Sequence, residues 1–264
     1  MSSGDVDYEA HGDGYAQIRR PDPRIAALIH SALGDARTVL NVGAGAGSYE
    51  PSDRHVVAVE PSATMRAQRP SSLVPAVNAT AEQLPFDDNS FDAAMATVTV
   101  HQWREATRGL AELRRVARGP VVVLTFDGDA LDRFWLAAYA PELIAAERRR
   151  YPPIPHLAAA IGRTSVAEVP VPIDCVDGFT EAFYARPESF LDERVRAAQS
   201  AWTFITPEAT QRTVETLRQD LASGQWDQTY AKWRTRPHFN GSLRLLTGHP
   251  EPHRDRGGLP FVQA

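Results

Sequence analysis

The chain has 264 residues, a formal net charge of −5, 43% hydrophobic and 23% charged residues, so it can bury a sizeable core and is not disordered throughout. The acidic balance argues against a nucleic-acid partner, and the one basic run, Arg148-Arg149-Arg150, reads as a solvated helix end. No apolar run reaches the roughly 20 residues of a membrane helix, Met1 to Gly14 lacks a signal-peptide pattern, and Cys175 has no second cysteine to pair with. The expectation is a soluble, cytoplasmic protein.

Asp22 and Pro23 give an N-cap and first helical position, and Gly34 falls just past that helix's end. Ile25, Leu28, Ile29 and Leu33 supply its apolar stripe. Short apolar runs then predict strands over Thr38–Val42, Val56–Val59, Val74–Val77, Phe91–Val100 and Val121–Phe126, with a helix over Trp103–Ala117. Such alternation predicts a mostly parallel sheet. Beyond Phe126 the pattern turns helical. Leu131–Arg150 is broken at Pro141, Pro187–Ser200 reads as one helix, and Thr206-Pro207 opens another that ends at Gly224. Glu168–Ile173 and Ser242–Thr247 read as strands, and His249–Ala264 as a loose tail.

The strongest motif is Val39-Leu40-Asn41-Val42-Gly43-Ala44-Gly45-Ala46-Gly47, an apolar strand running into Gly-x-Gly-x-Gly. Glycines there let a ligand lie against the backbone. A second strand, Val56 to Val59, ends in Glu60, placed to accept both hydroxyls of a ribose. The two motifs together predict a ribose-bearing cofactor. A dinucleotide fingerprint would need a glycine where Ser48 stands and a full helix after it, but Pro51 interrupts that segment. A nucleoside without phosphates suits the loop better.

On these residues the chain resembles the class I S-adenosylmethionine-dependent methyltransferase superfamily, in its "type 11" small-molecule branch, over Tyr15 to about Phe126. Gly43 to Gly47 are similar to its first motif and Glu60-Pro61-Ser62 with Met65 to its second. Thr80-Ala81-Glu82-Gln83-Leu84-Pro85-Phe86 resembles its adenine-binding turn, and Phe91-Asp92 with Ala96-Thr97 and His101-Gln102-Trp103 its fourth strand and exit. The resemblance implies that Gly43, Ala44 and Gly45 line the methionine moiety, Glu60 holds the ribose with Pro61 and Met65 beside it, and Thr80, Ala81 and Glu82 meet the adenine edge. Ala96 and Thr97 would offer carbonyls to the cofactor's amino group, while Tyr15 and Arg19 would close over its methionine end. Asn41 and Thr80 depart from the family, which usually has aspartate at both positions. The implied fold is α/β: a Rossmann-like, seven-stranded, mostly parallel sheet with helices on both faces and a helical cap inserted before the last strand. Residues 1–177 and 240–248 would form the core, 178–239 the cap and 249–264 the tail.

Ten of the 22 aromatic residues fall between Phe179 and Phe239, where an aromatic-lined pocket for a small organic acceptor is expected. Trp103, His156, Phe179, Phe183, Tyr184 and His238 are the candidate substrate contacts. His101 is the candidate base, with His156, Asp177, Tyr184 and His238 weaker ones, should the acceptor have to lose a proton. Asp127, Asp129 and Asp132 read as helix-capping acids, and no metal is expected. The implied activity is methyl transfer from S-adenosylmethionine, leaving S-adenosylhomocysteine, to an O, N or C atom of an apolar or aromatic natural-product-type molecule, by a monomer or homodimer. Two readings compete: a cofactor-binding cyclase or sensor that transfers no methyl group, and a nicotinamide-dependent oxidoreductase.

Overall fold

The computed structural model describes residues 18–251. Tyr15 lies outside them, as does the tail from residue 252 onward. Helix α1 (Pro23–Ala32) begins where expected: the Asp22 carboxylate accepts from the Arg24 N–H, and Gly34 follows the helix with φ +57. Six strands then build one sheet: β1 (Thr38–Val42), β2 (His55–Val59), β3 (Ala93–Thr97), β4 (Val121–Phe126), β5 (Arg163–Glu168) and, last in the chain, β8 (Leu243–His249). Their order is β2-β1-β3-β4-β8-β5, with β1 to β4 parallel and β8 antiparallel to both its neighbours.

The sheet differs from the seven-stranded expectation at Val74–Val77. That run makes only an isolated parallel bridge, Val59 to Val77, and Val74 and Val77 are exposed. Without neighbours over their side chains, the two valines gain little from extending the ladder. A second difference lies near Glu168. The strand there ends at Glu168 instead of starting at it, and Val171–Pro172 (β6) pairs instead with His238–Phe239 (β7) in a separate ribbon. As an outer strand, β5 has mostly exposed side chains, so it lacks the apolar run that marked its neighbours.

Burial on both faces explains why β4 reads Val-Val-Val-Leu-Thr-Phe without alternation: all six residues are buried. Val122, Leu124 and Phe126 join one apolar cluster with Ile25, Ile29 and Leu33 of α1. Val121 and Val123 join the other, with Leu110, Leu113 and Val116 of α3 (Ala106–Val116) and Leu157 of α5 (Ile154–Ala160). Side-chain alternation along the strand thus assigns a helical layer to each face. Between β2 and β3 lies the short α2 (Ala63–Ala67), capped by Ser62.

The segment after β4 is helical but more broken than its sequence pattern. Two 3₁₀ turns precede α4 (Pro141–Arg150), and α6 (Glu193–Ala197) sits between 3₁₀ turns where one helix from Pro187 to Ser200 was expected. Farther on, α7 (Pro207–Ser223) starts at its Thr206 cap and ends at left-handed Gly224, followed by α8 (Gln225–Arg234). The aromatic residues here largely pack on one another. Phe183, Tyr184, Phe190, Trp202, Trp226, Trp233 and Phe239 share the α1-side cluster with Phe134 and Trp135. Among the arginines, Arg150 is not solvated: its side chain is buried against Glu147 and lies over the Phe204 ring. Asp127 caps the following turn and Asp132 pairs with Arg148. No described helix is long and apolar enough to cross a membrane.

Candidate functional site

The chain leaves β1 for β2 on one side and later returns to β3 on the other. Ligands of open α/β sheets bind at such a reversal, beyond the carboxyl ends of the strands. A cleft lies there, bordered by Gly43, Ala44, Gly45, Ala46, Ser48, Tyr49, Glu60, Met65, Thr97, Val98, Thr99, Gln102 and Arg19. The two sequence motifs therefore meet in space.

The glycine loop owes its shape to three left-handed residues, Gly43 (φ +68), Gly45 (φ +51) and Gly47 (φ +98). Gly43 is also fixed by packing, since a Cβ there would fall 2.2 Å from Thr99 Oγ1. At Gly45 the added Cβ would meet only the end of Met65, at 3.2 Å. Strand β1 ends with Gly43 and Ala44 both donating to the Val59 carbonyl, at 2.9 and 3.0 Å, which holds the loop against the tip of β2.

Glu60 occupies that tip and is 7% exposed. Its Oε2 accepts from the Gly45 N–H and its Oε1 from the Ser62 N–H, both at 2.8 Å. Burial raises its pKa, against the lowering effect of those bonds and of Arg66 and Arg69. Each carboxylate oxygen keeps a further lone pair for a ligand hydroxyl. Asn41, where the family usually has aspartate, is fully buried and donates from Nδ2 to Glu50 at 3.0 Å. Glu50 forms a buried ion pair with Arg69 at 2.9 Å. A negative charge thus remains beside the loop on Glu50, although Asn41 is neutral.

A second chamber adjoins the cleft and shares Arg19, Val98 and Gln102 with it. Its remaining border is His101, Phe126, Leu131, Glu147, Tyr151, Phe179, Thr180, Glu181, Gln199, Ser200 and Ala201. Val98, at the boundary, has φ +52, a strained conformation for a β-branched residue of the kind that collects at functional sites.

His101 stacks near Tyr151 with ring centroids 4.7 Å apart. Burial, together with the nearby charges of Arg150 and Arg19, pushes its pKa well below the ordinary histidine range, so the ring is neutral at physiological pH. The buried Glu181 accepts at both oxygens from the Ser242 N–H at 3.0 Å, and burial pushes its carboxyl up to about 7. Arg19 Nε donates to Asp177 Oδ1 at 2.7 Å.

Of the expected cofactor contacts, Arg19, Gly43, Ala44, Gly45, Glu60, Met65 and Thr97 border the cleft. Ala96 is buried within β3, and the Pro61 carbonyl accepts from Arg66. Thr80 is exposed, Ala81 is buried in the α3-side cluster, and Glu82 accepts from the Glu105 N–H; none of the three lines the cleft.

Among the expected substrate contacts, only Phe179 borders the second chamber, beside His101. Trp103 lies over Gly109, where an added Cβ would sit 2.5 Å from its ring. His156 and His238 are exposed, Phe183 is in the aromatic cluster, and the Tyr184 hydroxyl donates to the Arg236 carbonyl. These five fall elsewhere because residue type and chain region do not specify direction. Sequence reasoning missed Gln199, Glu181, Glu147 and Tyr151, polar residues in or flanking helical turns with no motif around them.

Residues 40–123 match the family described as "Methyltransferase domain". The structure is similar, with a TM-score of 0.81 and 28% identity, to a putative methyltransferase from an antibiotic biosynthesis pathway of Anabaena variabilis, over 88% of this chain and 99% of that one. An uncharacterized methyltransferase of Mycobacterium tuberculosis is 38% identical over 91 residues, which are 31% of this chain and 36% of that protein. A ubiquinone/menaquinone biosynthesis C-methyltransferase of Geobacter is 29% identical over 125 residues, 41% of this chain and 53% of that protein. The chain thus spans only about a third to a half of the curated relatives it matches.

Proposed function

Because the chain belongs to the class I S-adenosylmethionine-dependent methyltransferase superfamily, we propose that it transfers a methyl group from S-adenosylmethionine to a small organic acceptor seated in the second chamber. The carrying observation is adjacency. The glycine-loop cleft and the second chamber share Arg19, Val98 and Gln102, so ligands in the two would meet at that boundary.

The cleft residues fit the cofactor. Glu60 presents a buried carboxylate at the strand tip, suited to a pair of ribose hydroxyls, and the loop offers backbone without side chains. Bound S-adenosylmethionine supplies a methyl group already activated on a positively charged sulfur. The chain's own task is then to place and enclose, the contribution expected of proximity and orientation. Segment 178–239 supplies Phe179, Thr180, Glu181, Gln199, Ser200 and Ala201 to the chamber wall, which supports its reading as the cap that chooses the acceptor. The pathway named for the Anabaena relative supports a small molecule over a macromolecule.

One observation weighs against the nicotinamide reading. No helix stands between Val42 and His55 to receive a pyrophosphate, which disfavours a nicotinamide dinucleotide. Calorimetric titration tests the reading: S-adenosylhomocysteine should bind one per chain and NADH should not. Binding of NADH in its place would overturn it.

A further inference from the structure

Most charged or polar groups around the second chamber are already engaged. Tyr151 donates to Glu147, Glu147 pairs with Arg150, Ser242 donates to Glu181, and Arg19 pairs with Asp177. Two residues on its border carry groups that are different. His101 Nδ1 and Gln199 Nε2 are buried with no hydrogen-bond partner, on side chains 8% and 4% exposed. Such groups are costly to leave unmatched and call for a ligand.

Their chemistry can be read from their neighbours. Gln199 Oε1 accepts from Thr180 Oγ1 at 2.9 Å and from Trp202 Nε1 at 3.2 Å. An indole N–H only donates, so the amide oxygen must face Trp202 and the unmatched group is the NH₂. His101 Nε2 lies 3.4 Å from the Gln102 amide nitrogen, which donates to it. The neutral ring then carries its proton on Nδ1, so that group is a second unmatched donor. Both donors want an acceptor oxygen. Phe126, Leu131, Phe179, Ala201 and the Tyr151 ring supply apolar surface to the same wall. Glu147 and Glu181 also border the chamber, and the bordering cation Arg19 is already paired with Asp177, which disfavours a second carboxylate.

We propose that the second chamber recognises acceptors that carry a carbonyl oxygen on an apolar ring or chain, with His101 Nδ1 and Gln199 Nε2 as the two donors to that oxygen. This rests on the methyl-transfer reading and makes His101 a donor to the acceptor, instead of the base expected from the sequence. Oxygen in the ligand that gains negative charge would be stabilised by the same two bonds.

The test uses the full chain saturated with S-adenosylhomocysteine and three probes of similar shape: acetophenone, ethylbenzene and benzoate. Affinities are read by ligand-observed saturation-transfer NMR. Acetophenone should bind about tenfold more tightly than either other probe, the upper range for a neutral hydrogen bond. In Gln199→Glu the remaining carboxylate oxygen can still accept from Thr180 and Trp202, while the NH₂ is gone. Acetophenone should then fall to the level of ethylbenzene, with S-adenosylhomocysteine affinity unchanged. Should Gln199→Glu fail to fold, His101→Phe keeps a ring beside Tyr151 and should lower the ketone preference as well. Equal affinity for acetophenone and ethylbenzene in the wild type, tightest binding of benzoate, no probe binding, or an undiminished preference in the folded variant would each overturn the proposal. If S-adenosylhomocysteine binds and the ketone preference is absent, only this inference fails. If S-adenosylhomocysteine does not bind, the methyl-transfer reading fails with it.

Discussion

The Tyr49 hydroxyl donates to Asp177 Oδ2 at 2.7 Å, across 128 residues of sequence and inside the protein. Tyr49 closes the glycine loop in a left-handed conformation (φ +65), and Asp177 also accepts from Arg19 and from the Gly178 N–H. One buried carboxylate therefore joins the N-terminal segment, the cofactor loop and the start of the 178–239 segment. Tyr49→Phe removes a single bond to a charged group, worth roughly 1.5–3 kcal/mol. The expected result is a lower melting temperature by calorimetry, with weakened S-adenosylhomocysteine binding because the loop loses its tie. An unchanged melting temperature would show that Arg19 and Gly178 hold Asp177 by themselves.

Glu60→Ala should weaken S-adenosylhomocysteine binding by about ten- to a hundredfold, the loss expected when ligand hydroxyls lose a charged acceptor. The substitution also strips the Gly45 and Ser62 N–H groups of their partner, so a modest fall in stability should accompany it. Titration calorimetry and thermal unfolding on the same samples separate the two effects. Unchanged affinity would mean that the carboxylate serves the loop and not the ligand.

Gly43 and Gly45 should respond differently to alanine. Gly43→Ala drives a Cβ into Thr99, and overpacking of this kind costs roughly 1–3 kcal/mol, added to about 1–2 kcal/mol for a left-handed side-chain-bearing residue. Gly45→Ala carries the conformational penalty with much less crowding. Gly43→Ala should therefore be the less stable variant in denaturant titration. Adding Thr99→Ala should recover part of the loss, and no recovery would rule out the proposed clash.

Glu181 sets a pH dependence of stability. Burial raises its carboxyl from the usual 4.5 to about 7 in the folded protein, so the folded state binds more protons than the unfolded one between those values. Its contribution to stability is fully present below about pH 4.5 and is lost as pH rises through about 7. Melting temperatures measured from pH 5 to 8 should show that decline, and Glu181→Gln should flatten it. A slope identical in the variant would assign the dependence to other groups.

Much of the cofactor half was legible because its chemistry is local. The run from Val39 to Gly47 had to be a buried parallel strand meeting a loop with left-handed positions, and Glu60 had to end the next strand. Those two features are separated by few residues, and the parallel register Val42 to Val59 brings them together. The helix signals at Asp22, Thr206 and Gly224 were equally local, resting on a capping side chain or on glycine's freedom at positive φ. The second chamber is another matter. His101, Tyr151 and Gln199 are dispersed in sequence and meet only because the helices after β4 fold onto one face of the sheet. Aromatic enrichment marked that region, yet most of its rings, Phe183 and Trp226 among them, fill its own core, since apolar burial selects rings without regard to ligands. Which polar atoms are left unmatched at the chamber wall, and which oxygen-bearing groups they could receive, depends on hydrogen bonds between residues distant in sequence. That was decided by the tertiary structure alone.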